Sequence, residues 1–343
     1  MKSKVIRHPS VTWVNTKVDV RSRISELQKW RYDRKSSAVT NNTMRDGYDK
    51  METLFTETIP ANTDCLIELS DAISESYKQD TEVWKDLREK ILGIPQCTEE
   101  DWGIIDEQIQ LIIREREFLN TLYIDGNGLE GSSWYRKTGW STLGSALKSR
   151  AGVITCPYVI TGKTSGVIII AWRIKILDLG RMFITPYYAK KIYANIPSDI
   201  ECMSNIEELS FCFNFLMGSI PDGICKLNKL RILKFEANQL SGIIPVGFGK
   251  GLKSLEELYL DHNRLEGSID ELLDLPVIKK IHIHENKFYG EMKDAFLNKG
   301  LEEFHFYYNY LELSEKILKR CDGDKWDGRK EKEKPMRVVK LSN

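Results

Sequence analysis

The sequence lacks the features that mark nucleic-acid binders, disulfide-rich domains and membrane proteins. Lysine plus arginine number 50 and aspartate plus glutamate number 50, so the basic excess of a nucleic-acid-binding protein is absent. The seven cysteines include no C-x-x-C pair, which argues against a disulfide framework and a zinc ribbon. The most apolar run, Val167 to Trp172, is far shorter than the roughly 20 residues of a membrane span and predicts a buried strand. Because no signal-peptide pattern follows Met1, the sequence predicts a soluble, cytoplasmic protein.

Catalytic signatures are missing as well. No H-E-x-x-H, G-x-S-x-G or protein-kinase pattern occurs. The Gly-Lys-Thr of residues 162–164 lacks the upstream glycine of a phosphate-binding loop, since Pro157 stands at that position. The sequence therefore predicts no catalytic residues, no cofactor and no enzyme. The alternative is an enzyme within residues 1–97, although that segment shows no recognisable arrangement of nucleophile and base.

What the sequence does contain is an internal repeat. Five segments carry apolar residues at fixed positions before a shared asparagine. In four of these segments, a glycine lies at the fourth position after the asparagine. The asparagines are separated by 24, 25, 23 and 23 residues and are Asn214, Asn238, Asn263, Asn286 and Asn309. A sixth, degenerate segment precedes them: it opens with Ile174, Leu177 and Leu179 and closes with Ile196-Pro197 after an insertion at 183–194.

This pattern resembles the plant-type leucine-rich repeat, L-x-x-L-x-L-x-x-N-x-L-x-G-x-I-P. The resemblance implies the α/β fold class: a leucine-rich repeat solenoid, a short horseshoe with parallel strands on its concave face. Alternate apolar residues such as Leu258 and Leu260 are expected to point into the core. The repeat asparagines are expected to be structural, because their amides can donate and accept hydrogen bonds where buried strands end.

A helical segment is expected directly upstream of the repeats. Apolar residues at three- and four-residue steps predict a helix over about 98–124, beginning at the capping box Thr98-Glu-Glu-Asp101. Trp134 and Gly139-Trp140 follow, and this arrangement resembles the N-terminal cap of protist and bacterial proteins with plant-type repeats. Shorter helices are predicted over Val20–Trp30 and Asp80–Leu92.

These patterns divide the chain into four predicted segments. They are a mainly helical region of unknown role at 1–97, an N-terminal cap at 98–173, the leucine-rich repeats at 174–319 and a charged tail at 320–343.

Histidine is scarce in the sequence but concentrated in the repeats. Four of the five histidines fall at strand positions that the consensus leaves open, and the resemblance places these positions on the concave face. His282 and His305 share one such position in adjacent repeats, so strand spacing places them about 4.8 Å apart. The predicted partner-binding residues are Tyr259, Asp261, His262, Lys280, His282, His284, Glu285, His305, Tyr307 and Tyr308.

Two interpretations fit this histidine-rich surface. Neighbouring imidazoles can form a metal site or a pH-sensitive site. The carboxylates look scattered in the sequence. Apart from the pairing of neighbouring strands, no spacing typical of metal ligands occurs. The sequence therefore favours a polar, aromatic recognition surface without a metal.

The sequence thus predicts a recognition or scaffold module that binds a protein or peptide through its concave face. It predicts no nucleic-acid partner and no membrane span, and it leaves the oligomeric state and the identity of the partner open. The alternative is the ectodomain of a surface or secreted recognition receptor whose leader peptide is missing.

Overall fold

A computed structural model describes only certain ranges of the chain. They are residues 11–16, 65–70, 82–126, 140, 147, 150–162, 167–180, 194–320 and 326–327. The chain forms two compact units, which we call the N-terminal unit and the repeat unit. The N-terminal unit comprises residues 1–113 and 156–173, and the repeat unit comprises residues 114–155 and 174–343.

The N-terminal unit contains strands that the sequence analysis did not predict. Strand β1 (Val11–Thr16) pairs antiparallel with β2 (Cys65–Leu69), and β2 pairs in parallel with the first residues of β4 (Val167–Asp178). The residues of β2 are all buried, as are those of β4 from Val167 to Trp172, which confirms the predicted buried strand. A further strand, β3 (Val153–Thr161), pairs with β4.

Two helices follow β2 in the chain. Helix α1 spans Glu82–Leu92 and helix α2 spans Glu99–Asp125, which confirms the predicted helix over about 98–124. The capping box forms at the start of α2: the Thr98 backbone N–H donates to Asp101 Oδ2 at 2.8 Å, and the Asp101 N–H donates to Thr98 Oγ1 at 3.3 Å. The predicted helix over Val20–Trp30 lies outside the described residues.

The repeat unit is a stack of short parallel strands. The end of β4 pairs with the first strand of the repeats, and each strand then pairs in parallel with the next. These strands are β6 (Glu208–Ser210), β8 (Ile232–Lys234), β10 (Glu257–Tyr259), β12 (Lys280–His282), β14 (Glu303–His305) and β16 (Trp326–Asp327). Because β4 belongs to this stack, the degenerate sixth repeat is part of the solenoid.

A second row of strands follows the first at a fixed distance along the chain. Strand β5 (Ala194–Asn195) pairs with β7 (Leu216–Met217). The other members form a separate parallel sheet of β9 (Ser241–Gly242), β11 (Arg264–Gly267), β13 (Lys287–Met292) and β15 (Tyr310–Leu313). The returning segments are 3-10 helices or single helical turns, namely Ser198–Met203, Asp222–Lys226, α3 (Phe248–Gly251), Asp270–Asp274, Asp294–Asn298 and α4 (Glu315–Arg320).

The core of the repeat unit lies between these strands and the returning segments. Its innermost side chains come from the central position of each strand and are fully buried: Leu209, Leu233, Leu258, Ile281 and Phe304. The Phe211 and Phe235 rings stack with centroids 5.4 Å apart. No repeat could bury these side chains alone, so stacking of neighbours provides the stabilising burial of apolar surface.

The repeat asparagines connect each turn to the one before it. The Asn238 amide donates to the carbonyl oxygens of Phe235 in its own repeat and Phe211 in the preceding repeat, at 3.1 and 2.9 Å. Its Oδ1 accepts a 3.0 Å hydrogen bond from the Leu216 N–H. Asn263, Asn286 and Asn309 repeat this pattern. Each such side chain therefore satisfies buried backbone groups of two repeats.

Helix α2 contributes polar contacts within the repeat unit, one of them buried. Glu115 Oε2 accepts a hydrogen bond from the Ile174 N–H at 3.2 Å, and Arg114 forms an ion pair with Asp199. Within the described ranges, no helix is both long enough and apolar enough to cross a membrane.

Candidate functional site

The side of the repeat sheet opposite the core carries three columns of side chains. We call them the strand column, the exit column and the turn column, in order along the chain. Parallel pairing aligns the strand column, which contains Ser210, Lys234, Tyr259, His282 and His305. Two residues later the exit column contains Cys212, Glu236, Asp261, His284 and Tyr307. The turn column contains Phe213, Ala237, His262, Glu285 and Tyr308.

The turn column has an unusual backbone conformation. All five of its residues have a positive φ of 52–55°, although none of them is glycine. This left-handed conformation costs about 1–2 kcal/mol for a residue with a Cβ atom. It lies between the two rows of strands in each repeat, and His262 and Glu285 contact the exit column, as described below.

Aromatic and imidazole rings pack against one another across the last three repeats. His282 and His305 stack with centroids 4.1 Å apart at an interplanar angle of 15°. Tyr259 meets His282 edge-on at 4.7 Å, and the His284 ring stacks on Tyr307 at 4.4 Å. Tyr308 contacts the Tyr307 ring at 5.3 Å. The rings are therefore already held in place in the chain on its own.

The structure places every predicted site residue in or beside these columns, with different exposure. His262, Glu285 and Tyr308 are exposed, and Asp261 and His284 are only 7% exposed. The sequence places all strand-face residues at the surface because it cannot show how far neighbouring rings cover one another. The remaining members, Tyr259, Lys280, His282, His305 and Tyr307, are half-buried.

Carboxylates lie between the imidazoles of this surface. Asp261 Oδ2 is 2.9 Å from His262 Nδ1 and 3.6 Å from His284 Nε2. Glu285 Oε1 lies 3.2 Å from His262 Nε2. The Nε2 atom of His282, a member of the strand column, lies 3.2 Å from Oε2 of Glu303 in the next strand. The carboxylates that look scattered in the sequence are thus adjacent to histidines in the structure.

Burial shifts the protonation equilibria of three of these groups. It lowers the pKa of His284 to about 4, an effect that Asp261 opposes, and the neighbouring histidines lower it further. Burial and the adjacent His305 also lower the pKa of His282 below its ordinary value. Burial, and then the charge of Glu257, raise the pKa of Tyr259, whose hydroxyl donates to Glu257 Oε2 at 3.0 Å. His284 and His282 therefore carry neutral imidazoles at neutral pH.

The sequence analysis missed four charged residues of this surface, namely Lys234, Glu236, Glu257 and Glu303. Lys280 Nζ lies 3.4 Å from Glu257 Oε1 and 3.8 Å from Glu303 Oε1. Lys234 Nζ lies 5.4 Å from the centre of the Tyr259 ring, and Glu236 occupies the exit column beside Asp261. Aligning the open strand positions of all repeats, instead of following the histidines, would have found them.

Comparisons with known proteins agree with this architecture. A family model for the leucine-rich repeat matches residues 204–265. Receptor-like protein 39 of Arabidopsis thaliana is 33% identical over 92 residues, which are 27% of this chain and 10% of that protein. The chain therefore spans about a tenth of the length of this relative.

Solved structures show similar repeats. The ectodomain of the receptor kinase SOBIR1 from Arabidopsis thaliana is 23% identical with a TM-score of 0.40, covering 56% of this chain and 96% of that one. The Arabidopsis receptor kinase HAESA, in complex with the peptide hormone IDA and the co-receptor SERK1, is 30% identical with a TM-score of 0.34. That match covers 35% of this chain and 20% of the receptor.

The predicted cytoplasmic location is wrong. The matched relative is a receptor-like protein, which points away from a cytoplasmic location. The prediction failed because it relied on the absence of a signal-peptide pattern and on an odd number of cysteines, and both indicate a compartment only as a tendency.

The spacing of the repeats, their asparagine hydrogen bonds, the family model and the receptor-like relative all lead to one assignment. Residues 204–265 match the leucine-rich repeat family, and the repeats resemble those of the plant type.

Proposed function

We propose that the repeat unit is a recognition module that binds a protein or peptide partner along the strand and exit columns. The observation that carries this proposal is the set of packed rings formed by Tyr259, His282, His284, His305 and Tyr307. Tyrosine supplies large contact areas at protein interfaces, and ordered rings lose little conformational entropy on binding. The match to a receptor-like protein supports a role of this kind in an extracellular setting.

The charges of the same surface indicate the chemistry of the partner. Five carboxylates, Glu236, Asp261, Glu257, Glu285 and Glu303, lie among two lysines, Lys234 and Lys280. Because the imidazoles of His282 and His284 are neutral at neutral pH, they do not balance this negative charge. A segment that carries arginine or lysine would complement the carboxylates, and tyrosine rings can also accept a cation on their faces.

The test is selection of binders from a displayed library of random peptides with the full chain as bait. We expect the selected peptides to be enriched in arginine and lysine. Changing Tyr259, His282 and Tyr307 together to alanine should weaken the best peptide at least about 30-fold, the equivalent of losing about 2 kcal/mol.

A matched control uses exposed tyrosines outside the three columns. Tyr289 and Tyr310 pair across strands β13 and β15 and are 57% and 71% exposed. Changing both to alanine should leave the peptide affinity unchanged. Loss of binding in this control but not in the triple variant, with unchanged circular dichroism in both, would place the binding surface on the second row of strands.

A further inference from the structure

We propose that Asp261, His262 and His284 form a binding site for a divalent transition-metal ion of the zinc class. The three side chains come from the exit and turn columns of two adjacent repeats. Each offers one ligand atom, and the three ligand atoms all lie within 4.8 Å of one another. One carboxylate and two imidazoles are a donor set that suits zinc and its neighbours, whereas calcium and magnesium prefer oxygen ligands.

The distances between the ligand atoms fit a small tetrahedral ion. Asp261 Oδ2 lies 2.9 Å from His262 Nδ1 and 3.6 Å from His284 Nε2. Ligand atoms around a tetrahedral zinc with bonds of about 2.0–2.1 Å lie about 3.3 Å apart. The two imidazole planes meet at 81° with ring centroids 5.0 Å apart, and lone pairs in two crossed planes can converge on one ion after small side-chain rotations. Three protein ligands leave one position for water or for a group from outside the chain.

A second carboxylate orients one of the histidines. Glu285 Oε1 lies 3.2 Å from His262 Nε2, on the side of the ring opposite Asp261. A metal-bound histidine commonly donates its other N–H to a carboxylate, which fixes the tautomer and raises the basicity of the ligating nitrogen. With the proton of His262 on Nε2, its Nδ1 lone pair faces the Asp261 carboxylate, and this contact is favourable only with a cation between them.

Buried polar groups beside Asp261 also favour a cation. His284 is 7% exposed, so its imidazole is largely shielded from water. Glu236 Oε2, next to Asp261 in the exit column, is likewise buried and has no partner in the described part of the chain.

The neighbouring cluster of His282, Glu303 and His305 is a poorer site. Its ligand atoms are also close together, but the two imidazoles lie nearly parallel, at 15°, so their lone pairs do not converge. Lys280 Nζ lies 3.8 Å from Glu303 Oε1 and opposes a second cation. This cluster therefore serves as the internal control.

The experiment is a calorimetric titration of zinc chloride into the 343-residue chain. The protein is purified without a histidine tag and is treated with a chelator beforehand. We expect one ion per chain, and cobalt in its place should show the visible absorption of a tetrahedral site. His262→Gln and His284→Gln should each weaken zinc binding at least about 100-fold, and Glu285→Gln should weaken it about 10-fold. His262 is half exposed, so its variant tests the site even if the buried His284 variant fails to fold.

The matched controls are His282→Gln and His305→Gln, which change histidines of the same face outside the proposed site. Unchanged affinity in both controls supports the assignment. Zinc binding that depends on His282 and His305 but not on His262 would overturn it, as would the absence of zinc binding below about 100 µM. In the second case, a proton shared by His262 with Asp261 and Glu285 explains the cluster without a metal. The zinc titration uses the chain alone, so its result does not depend on the protein or peptide partner of the proposed function.

Discussion

At the residue scale, the repeat depends on two neighbouring positions with different physical roles. The asparagine of each repeat hydrogen-bonds the backbone of its own turn and of the preceding turn. The residue before it adopts the left-handed backbone conformation that brings the amide to these partners. The side chain and the backbone conformation together therefore close each turn.

Replacing a repeat asparagine should destabilise the protein. Asn238→Ala or Asn263→Ala removes the side-chain partner of four backbone groups, so we expect a loss of about 1–3 kcal/mol in the free energy of unfolding. Asn298→Ala, at the end of a 3-10 helix outside the ladder, should cost little. Urea titration monitored by circular dichroism measures all three. Equal stability of the three variants would contradict the structural role of the asparagines.

The stability of the protein should also depend on pH through His284. Its folded pKa, about 4, lies below the ordinary value of 6.5, so the unfolded chain binds the proton more readily. This contribution to stability is fully present above about pH 6.5 and is lost as the pH falls towards 4, by roughly 1–3 kcal/mol. The ionisable groups that face the ring are Asp261, His262, His282, His305 and Tyr307.

The measurement is the free energy of unfolding between pH 4 and pH 7 for the wild type and for His284→Gln. We expect a shallower pH dependence in the variant over this interval. Parallel curves for the two proteins would show that His284 does not bind its proton differently in the folded and unfolded states.

At the scale of the element, each repeat is a three-residue strand followed by a left-handed residue. Strands this short contribute few hydrogen bonds on their own, so they are stabilised by pairing in register with both neighbours. The left-handed residue ends each strand and starts the return path. A residue with less conformational strain at this position should therefore stabilise the whole stack.

Glycine in the turn column should be stabilising. Ala237 has a φ of 55°, and Ala237→Gly should raise the free energy of unfolding by about 1 kcal/mol, because glycine adopts this conformation without steric cost. Ala295→Gly is the matched control: Ala295 is exposed in a 3-10 helix and its φ is not positive, so we expect a loss of about 0.5–1 kcal/mol. Thermal unfolding of both variants shows whether each change stabilises or destabilises the protein. A destabilising effect of Ala237→Gly would contradict the strain argument.

At the scale of the whole molecule, the start of the solenoid needs side chains from upstream. Ile174, Leu177 and Leu179 are fully buried, and Glu115 of helix α2 accepts the Ile174 N–H. Tyr123 of the same helix stacks on Trp140 with centroids 5.6 Å apart. The Trp140 Nε1–H donates to the Ala151 carbonyl at 3.0 Å. These contacts support the proposal that residues 98–173 cap the repeats.

Removing this segment should make the repeats aggregate. A fragment of residues 174–343 lacks Glu115 and Trp140 and exposes the apolar start of its first strand, and solenoids need capped ends to stay soluble. Size-exclusion chromatography of the fragment beside the full chain should show high-molecular-weight material in the fragment alone. A monomeric fragment with cooperative unfolding would contradict the cap assignment.

The sequence by itself determined the repeat register, because every repeat carries its own copy of the pattern. Each apolar position and each asparagine is set by local spacing, so Leu258 and Asn263 could be assigned without long-range information. The capping box at Thr98 is also formed by residues that are close together in the sequence. For this reason the fold class and helix α2 were predicted correctly.

Only the tertiary structure decided which side chains of different repeats meet. His262 and Asp261 are sequence neighbours, but His284 joins them through strand pairing and through the left-handed backbone at His262. Ring packing then buries His284, which no local pattern encodes. Strands β1 and β2 escaped prediction for a related reason: they are far apart in the chain, and a strand's stability comes from its distant partner.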